Sequence, residues 1–235
     1  LLMTTVSVTS INMVTYGKPP YDTLRDMLPL SPVMTTGSLI VVHPSLPVKS
    51  VKEFIALAKA RPGQINYSSS GNGSAPHLSM ALLASMAGIK LVHIPYKGGA
   101  PQVTALVSGE TQASLATIST VLMHIQSGRL RALGVAGLKR ASSLPNLPTI
   151  SEAGVKGYEA NNWNGVVAPT GVPRSVVDRL YRDITATLKE TAVTDRMQAA
   201  GLEPVGDSPA EFAQYLKAEA AKWGQLVKSA GIKAE

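Results

Sequence analysis

Between Ser68 and His77 the chain reads Ser68-Ser69-Ser70-Gly71-Asn72-Gly73-Ser74-Ala75-Pro76-His77, at the point where a strand-like Gln64-Ile65-Asn66-Tyr67 gives way to the amphipathic stretch Leu78 to Met86. A strand that ends in glycines and feeds a helix start presents unpaired backbone N–H groups and the positive end of the helix dipole to one small volume. Ser69, Ser70 and Ser74 add hydroxyl groups, and no Lys, Arg, Asp or Glu falls between Arg61 and Lys90. The chemistry implied is that of an anion held by neutral donors.

Two better-known phosphate motifs fit poorly. A P-loop needs Gly-Lys-Ser/Thr, whereas Gly73 is followed by Ser74 and Ala75. A dinucleotide fingerprint needs a third glycine where this chain has Pro76, and an acidic residue that does not follow at the expected distance. A plain strand-to-helix turn stays open as the simpler reading. His77, in the first turn of the helix, could orient a ligand or could merely pack or cap. The histidines at 43, 77, 93 and 124 lack the spacing of a zinc site, no carboxylate pair for acid/base work is visible, and Ser74 has no Gly-x-Ser-x-Gly frame. No catalytic residue, metal or cofactor is therefore assigned. Tyr96-Lys97-Gly98-Gly99-Ala100 closes another strand, where Tyr96 could wall a pocket, and Thr117, Ser119 and Thr120 follow a third. In α/β sheets ligands bind at such strand ends.

The elements that must hold these groups alternate between short apolar strands and helical patterns, which favours parallel α/β layers. Strands are expected at Leu39–His43, Gln64–Tyr67, Lys90–Ile94, Gln112–Ala116, Leu130–Val135 and Trp163–Ala168. Helix starts are marked at Ser50-Val51-Lys52-Glu53, at Thr149-Ile150-Ser151-Glu152, at Pro101, at Pro173 and at Ser208-Pro209-Ala210-Glu211. Val177, Leu180, Ile184 and Leu188, and then Phe212, Leu216, Trp223 and Val227, form apolar stripes that read as core.

The net charge of +7 is unevenly placed. Residues 43–160 carry eleven bases against four acids, while residues 1–42 carry two of each and residues 161–235 nine of each. The excess thus surrounds the Gly/Ser turn and would focus anions onto it. Nucleic acid is disfavoured, because the bases are dispersed and only 5% of residues are aromatic. With no cysteine there is no disulfide or thiol chemistry, and no apolar run reaches the roughly 20 residues of a membrane helix.

Three stretches resemble the Bug-type receptors of the tripartite tricarboxylate transporter family: Gly71-Asn72-Gly73-Ser74-Ala75-Pro76-His77-Leu78, Val92-His93-Ile94-Pro95-Tyr96-Lys97-Gly98-Gly99-Ala100-Pro101 and Leu147-Pro148-Thr149-Ile150-Ser151-Glu152-Ala153-Gly154. Pro44-Ser45-Leu46-Pro47-Val48-Lys49-Ser50, Ala168-Pro169 and the close from Lys222-Trp223 to Ala230-Gly231-Ile232 are also similar to that family, so the resemblance covers almost the whole chain.

The resemblance implies a type II periplasmic-binding-protein-like fold: two α/β lobes joined by crossing strands that close over a small carboxylate. Residues 1–42 would belong to lobe one, 43–160 would form lobe two with the anion site, and 161–235 would return to lobe one. The family's ligand loop maps onto Ser69, Ser70, Gly73, Ser74, Ala75 and His77, the first lobe-one loop onto Thr5 and Ser7, and helper contacts onto Tyr96 and Thr117. Members of the family often carry Asp or Asn near the position of Ile118 to Thr120. Implied partners are a small carboxylate and the membrane subunits of a tripartite transporter, with no nucleic acid, and the receptor would be a periplasmic monomer without enzymatic activity. A carboxylate sensor and an α/β enzyme acting on an anionic substrate are the competing readings. Leu1-Leu2-Met3-Thr4-Thr5-Val6 looks like an internal strand, so a signal peptide and a lobe-one segment are expected upstream and the first lobe is expected to be truncated.

Overall fold

The computed structural model describes residues 1–15 and 21–230; Gly231 and Ile232 of the closing motif lie outside that range. In chain order the elements are β1 (Leu2–Thr5), a π-helical turn (Ser7–Ile11), α1 (Asn12–Thr15), α2 (Thr23–Asp26) and β2 (Met27–Thr36). There follow β3 (Ser38–Val42), α3 (Val51–Ala60), β4 (Asn66–Ser69), α4 (Ala75–Ala87), β5 (Val92–Pro95), α5 (Gly99–Val107), β6 (Ala113–Thr117), α6 (Ile118–Gln126) and β7 (Arg131–Val135). The chain ends with β8 (Asn162–Pro169), α7 (Arg174–Leu188), α8 (Thr191–Ala199), β9 (Leu202–Pro204) and α9 (Pro209–Ala230).

These elements make two compact units, Leu1–Thr36 with Asn162–Ala234, and Gly37–Asn161. The continuous apolar strand β3, assigned by sequence to the end of the first lobe, pairs within the second unit. Among the described residues the chain passes between units twice, at Gly37 directly after β2 and at the start of β8.

The sheet of the first unit runs β1-β8-β2-β9 and is antiparallel throughout. This corrects the expectation of parallel layers, as does β3, which lies antiparallel between β6 and β7. Among the named strands of the described residues, β4 with its neighbours β5 and β6 has the parallel pairing that strand–helix–strand alternation demands. β2 carries Pro29 and Pro32, and the register shifts at both places. Proline cannot donate to a ladder, so it is tolerated in an interior strand at such bulges. α9 buries Phe212, Leu216, Trp223 and Val227, the stripe expected from its spacing.

In the second unit the sheet runs β5-β4-β6-β3-β7. Leu39 and Val41 of β3 and Ala116 of β6 pack against Val103 and Leu106 of α5 and Val121 of α6. Ser50 accepts the Glu53 N–H at 3.2 Å at the head of α3, and Thr149 and Glu152 exchange reciprocal bonds of 2.8 and 3.0 Å, as the capping patterns anticipate. α5 starts at Gly99, two residues before the Pro101 start read from sequence.

A buried polar chain ties the parallel elements together. Gln102 Nε2 of α5 donates to Ser114 Oγ at 2.8 Å and to the Leu115 carbonyl at 3.1 Å, and Ser114 Oγ donates to the Ser68 carbonyl at 2.9 Å. Gln102→Leu leaves those two acceptors without their donor in a dry environment, which costs about 1–3 kcal/mol. The expected result is a lower urea midpoint, measured by far-UV circular dichroism.

Candidate functional site

Because β4, β5 and β6 run parallel, the loops that leave them and the starts of α4, α5 and α6 share one edge of the second unit's sheet. None of these three helix starts has a side-chain cap. Their positive dipole ends therefore face this edge without a carboxylate or hydroxyl of their own to neutralise them. β3 also enters here, with Ser38 opposite Thr117.

The Gly/Ser loop is held tightly at this edge. Gly71 (φ 133°) and Gly73 (φ 68°) adopt backbone angles that other residues rarely reach. Ser69 Oγ stands 3.2 Å from the Gly71 N–H and 3.1 Å from its carbonyl, and Ser74 Oγ donates to that same carbonyl at 2.7 Å. Across the strand gap, the Tyr96 N–H donates to the Ser69 carbonyl at 3.0 Å and the Gly98 N–H to the Ser70 carbonyl at 3.2 Å. The β4–α4 and β5–α5 loops are thereby laced into one surface. In the first turn of α4, Pro76 has no N–H, so Ala75 and His77 are the backbone donors there.

Of the sequence-nominated residues, Ser69, Ser70, Gly73, Ser74, Ala75 and His77 come together in this loop, and Tyr96 and Thr117 lie at the ends of the two strands flanking β4. The Tyr96 hydroxyl donates to Glu110 at 2.8 Å, and desolvation followed by that carboxylate pushes its pKa up to about 12. Thr117 is the residue before α6, and its carbonyl accepts from the Thr120 hydroxyl at 2.8 Å. Thr5 and Ser7 belong to the first unit, where Thr5 ends β1 and Ser7 opens the π-helical turn. The Val8 N–H donates to Thr5 Oγ1 at 3.4 Å.

Sequence reasoning passed over His93 and Tyr67. The parallel register sets Tyr67 beside His93, and the His77 and His93 rings stack with centroids 3.8 Å apart and planes within 9°. Tyr67 stacks on His93 at 5.0 Å. Burial, then the neighbouring His93, push His77 down to about 4, and burial also lowers His93. Both imidazoles stay neutral at physiological pH, consistent with a site of neutral donors. Among the described residues no group of three His, Cys, Asp or Glu is placed to hold a metal ion.

Residues 1–232 match the tripartite tricarboxylate transporter family receptor, TctC. The chain belongs to this receptor family. The sequence is 35% identical over 213 residues to the UPF0065 protein in the tcbD-tcbE intergenic region of Pseudomonas sp. strain P51, covering 90% of this chain and 63% of that protein. It is 34% identical over 214 residues to protein BugT of Bordetella pertussis, covering 91% of this chain and 66% of BugT. The receptor-family chain thus spans about two thirds of the length of these curated relatives.

Solved structures give the same fold. Rpa4515 of R. palustris, determined with adipate, superposes with a TM-score of 0.86 at 35% identity over 98% of this chain and 77% of its own. The periplasmic binding protein BugD superposes with a TM-score of 0.82 at 29% identity over 99% of this chain and 78% of its own. The fold is that of the two-lobed, periplasmic-binding-protein-like TctC receptors. Among the described residues no helix is long and apolar enough to cross a membrane.

Proposed function

We propose that this receptor captures a small carboxylate in the periplasm and presents it to the membrane subunits of a tripartite transporter, without transforming it. The observation that carries the reading is the shared edge where three uncapped helix starts meet a hydroxyl-rich loop with two positive-φ glycines. Such an edge suits a carboxylate, which accepts from N–H and O–H donors and needs no counter-charge. In this assignment Gly37–Asn161 is the lobe that holds the anion, at the loop formed by Ser69, Ser70, Gly73, Ser74 and Ala75, with Tyr96 and Thr117 at its flanks. Binding of adipate by a relative 35% identical over nearly the whole chain supports dicarboxylates as the first ligands to try.

Thermal denaturation with adipate, its diamide and a nucleotide tests this. Ligand at 100 times Kd contributes about 2.7 kcal/mol, which for a chain of this size raises the melting temperature by roughly 5–10 °C. The shift should occur with adipate or another small dicarboxylate, be absent with the diamide and survive moderate salt, since desolvated donors are screened little. A panel in which only a nucleotide or a phosphosugar shifts the transition would turn the assignment towards an enzyme.

A further inference from the structure

The loop that is assigned to the ligand is fastened from below by two histidines. The Gly73 N–H donates to His77 Nδ1 at 3.1 Å. A ring nitrogen that accepts carries no proton, so neutral His77 is the tautomer protonated on Nε2. The companion ring, His93, places Nε2 2.6 Å from Ser69 Oγ, the hydroxyl that also reaches the N–H and the carbonyl of Gly71. Each positive-φ glycine of the loop is therefore tied to an imidazole, Gly73 directly and Gly71 through Ser69. Backbone in that region of conformational space persists only where its surroundings hold it.

We propose that the stacked His77–His93 pair is a latch that keeps the anion loop in its binding conformation, and that His77 is a positioning residue acting through Gly73 only while its ring is uncharged. This rests on the loop being the ligand site. Protonating Nδ1 sets one N–H against another, removes the bond to Gly73 and puts a positive charge within a 3.8 Å ring stack. Among the described residues, the titratable rings packed on His77 are Tyr67 from β4 and His93 from β5. Burial raises the Tyr67 phenol and lowers His93, so neither supplies a countercharge in mild acid. With His77 itself held down to about 4, the latch stays fastened through the neutral range and opens towards that pH.

The sign of the pH dependence separates a latch from a direct contact. A histidine that touched the anion would bind it more tightly on becoming charged, whereas a latch loses the ligand. Calorimetric titration with adipate from pH 7 to 4 on wild type, His77→Asn and His77→Phe decides between them. Asparagine keeps an acceptor near the Nδ1 position and cannot titrate; phenylalanine keeps the stack and loses the acceptor. Comparing each variant with wild type at the same pH cancels protonation of the ligand.

His77→Phe should bind at least tenfold more weakly at pH 7, and wild type should fall about twofold relative to His77→Asn by pH 4, where about half of the His77 rings are charged. Wild-type binding that holds or tightens relative to His77→Asn on acidification overturns the latch, as does unimpaired binding by His77→Phe. A ligand-free readout keeps the two proposals distinguishable: imidazole nitrogen and Gly73 amide resonances should show an unprotonated Nδ1 and a Gly73 shift titrating near pH 4 that His77→Asn abolishes. If neither adipate nor any other small dicarboxylate binds any form, the carboxylate assignment fails, and these resonances alone sustain or overturn the latch.

Discussion

Replacing Ser74 with aspartate should lower affinity for a dicarboxylate by a hundredfold or more while leaving the protein folded with nearly its normal melting temperature. Ser74 occupies the N-cap of α4 without capping it, because its hydroxyl donates to the Gly71 carbonyl at 2.7 Å instead. An aspartate there can accept from the first-turn N–H groups and interact with the helix dipole, which stabilises helices by about 1 kcal/mol. That gain offsets the lost bond to Gly71. The same carboxylate becomes an internal competitor for the donors assigned to the ligand. Two like charges about 4 Å apart repel by about 4 kcal/mol in the effective dielectric of a protein surface, close to a thousandfold in Kd. Lys97→Ala should change Kd by less than about threefold, since an exposed lysine assists encounter and is screened by salt. Calorimetry on both variants checks the pair. Equal affinity for Ser74→Asp and wild type would remove the loop from the account.

The loop was legible in the sequence because its signals are local: hydroxyls, glycines and a helix start within ten residues. What escaped was long-range. His77 and His93 share no helical spacing, and only the parallel register of β4 on β5, which sets Tyr67 beside His93, brings the second ring under the first. Strand positions were read well where apolar residues run together, as in Leu39-Ile40-Val41-Val42, but such a run carries no direction. That β3 lies antiparallel to β6 follows from where the chain enters the second unit, which no local pattern encodes. β2 was missed altogether because Pro29, Ser31 and Pro32 interrupt its alternation. The bulges that accommodate them are visible only once β8 is paired alongside. The family resemblance bridged some of this gap by supplying a two-lobed topology, yet it could not say which atoms hold the glycines in place.

The largest effect on stability is expected from Gly165→Ala in β8, at about 3 kcal/mol. Here glycine serves packing rather than backbone freedom. A Cβ at this position would lie 2.5 Å from Cζ of Phe212 and 3.2 Å from the Ser31 carbonyl. β8 is an interior strand between β1 and β2, so it cannot step aside without breaking a ladder. Phe212 on α9 is fully buried and meets Trp163 edge-on, with centroids 5.3 Å apart and planes at 87°, so its ring cannot retreat without disturbing that contact. Both tryptophans of the chain, Trp163 and Trp223, lie in the first unit, so urea unfolding followed by tryptophan fluorescence reports on this unit while circular dichroism reports on both. The fluorescence midpoint should fall sharply in Gly165→Ala. Adding Phe212→Leu, which removes the ring edge that the new methyl meets, should recover part of the loss even though Phe212→Leu alone is destabilising, a positive coupling that a double-mutant cycle isolates. As a contrast, Gly99→Ala at the start of α5 places a methyl in open space at a negative φ and should be neutral or stabilising by about 0.4–1 kcal/mol. If Gly165→Ala unfolds at the wild-type midpoint, or Phe212→Leu gives it no relief, then α9 does not rest on β8 through this glycine.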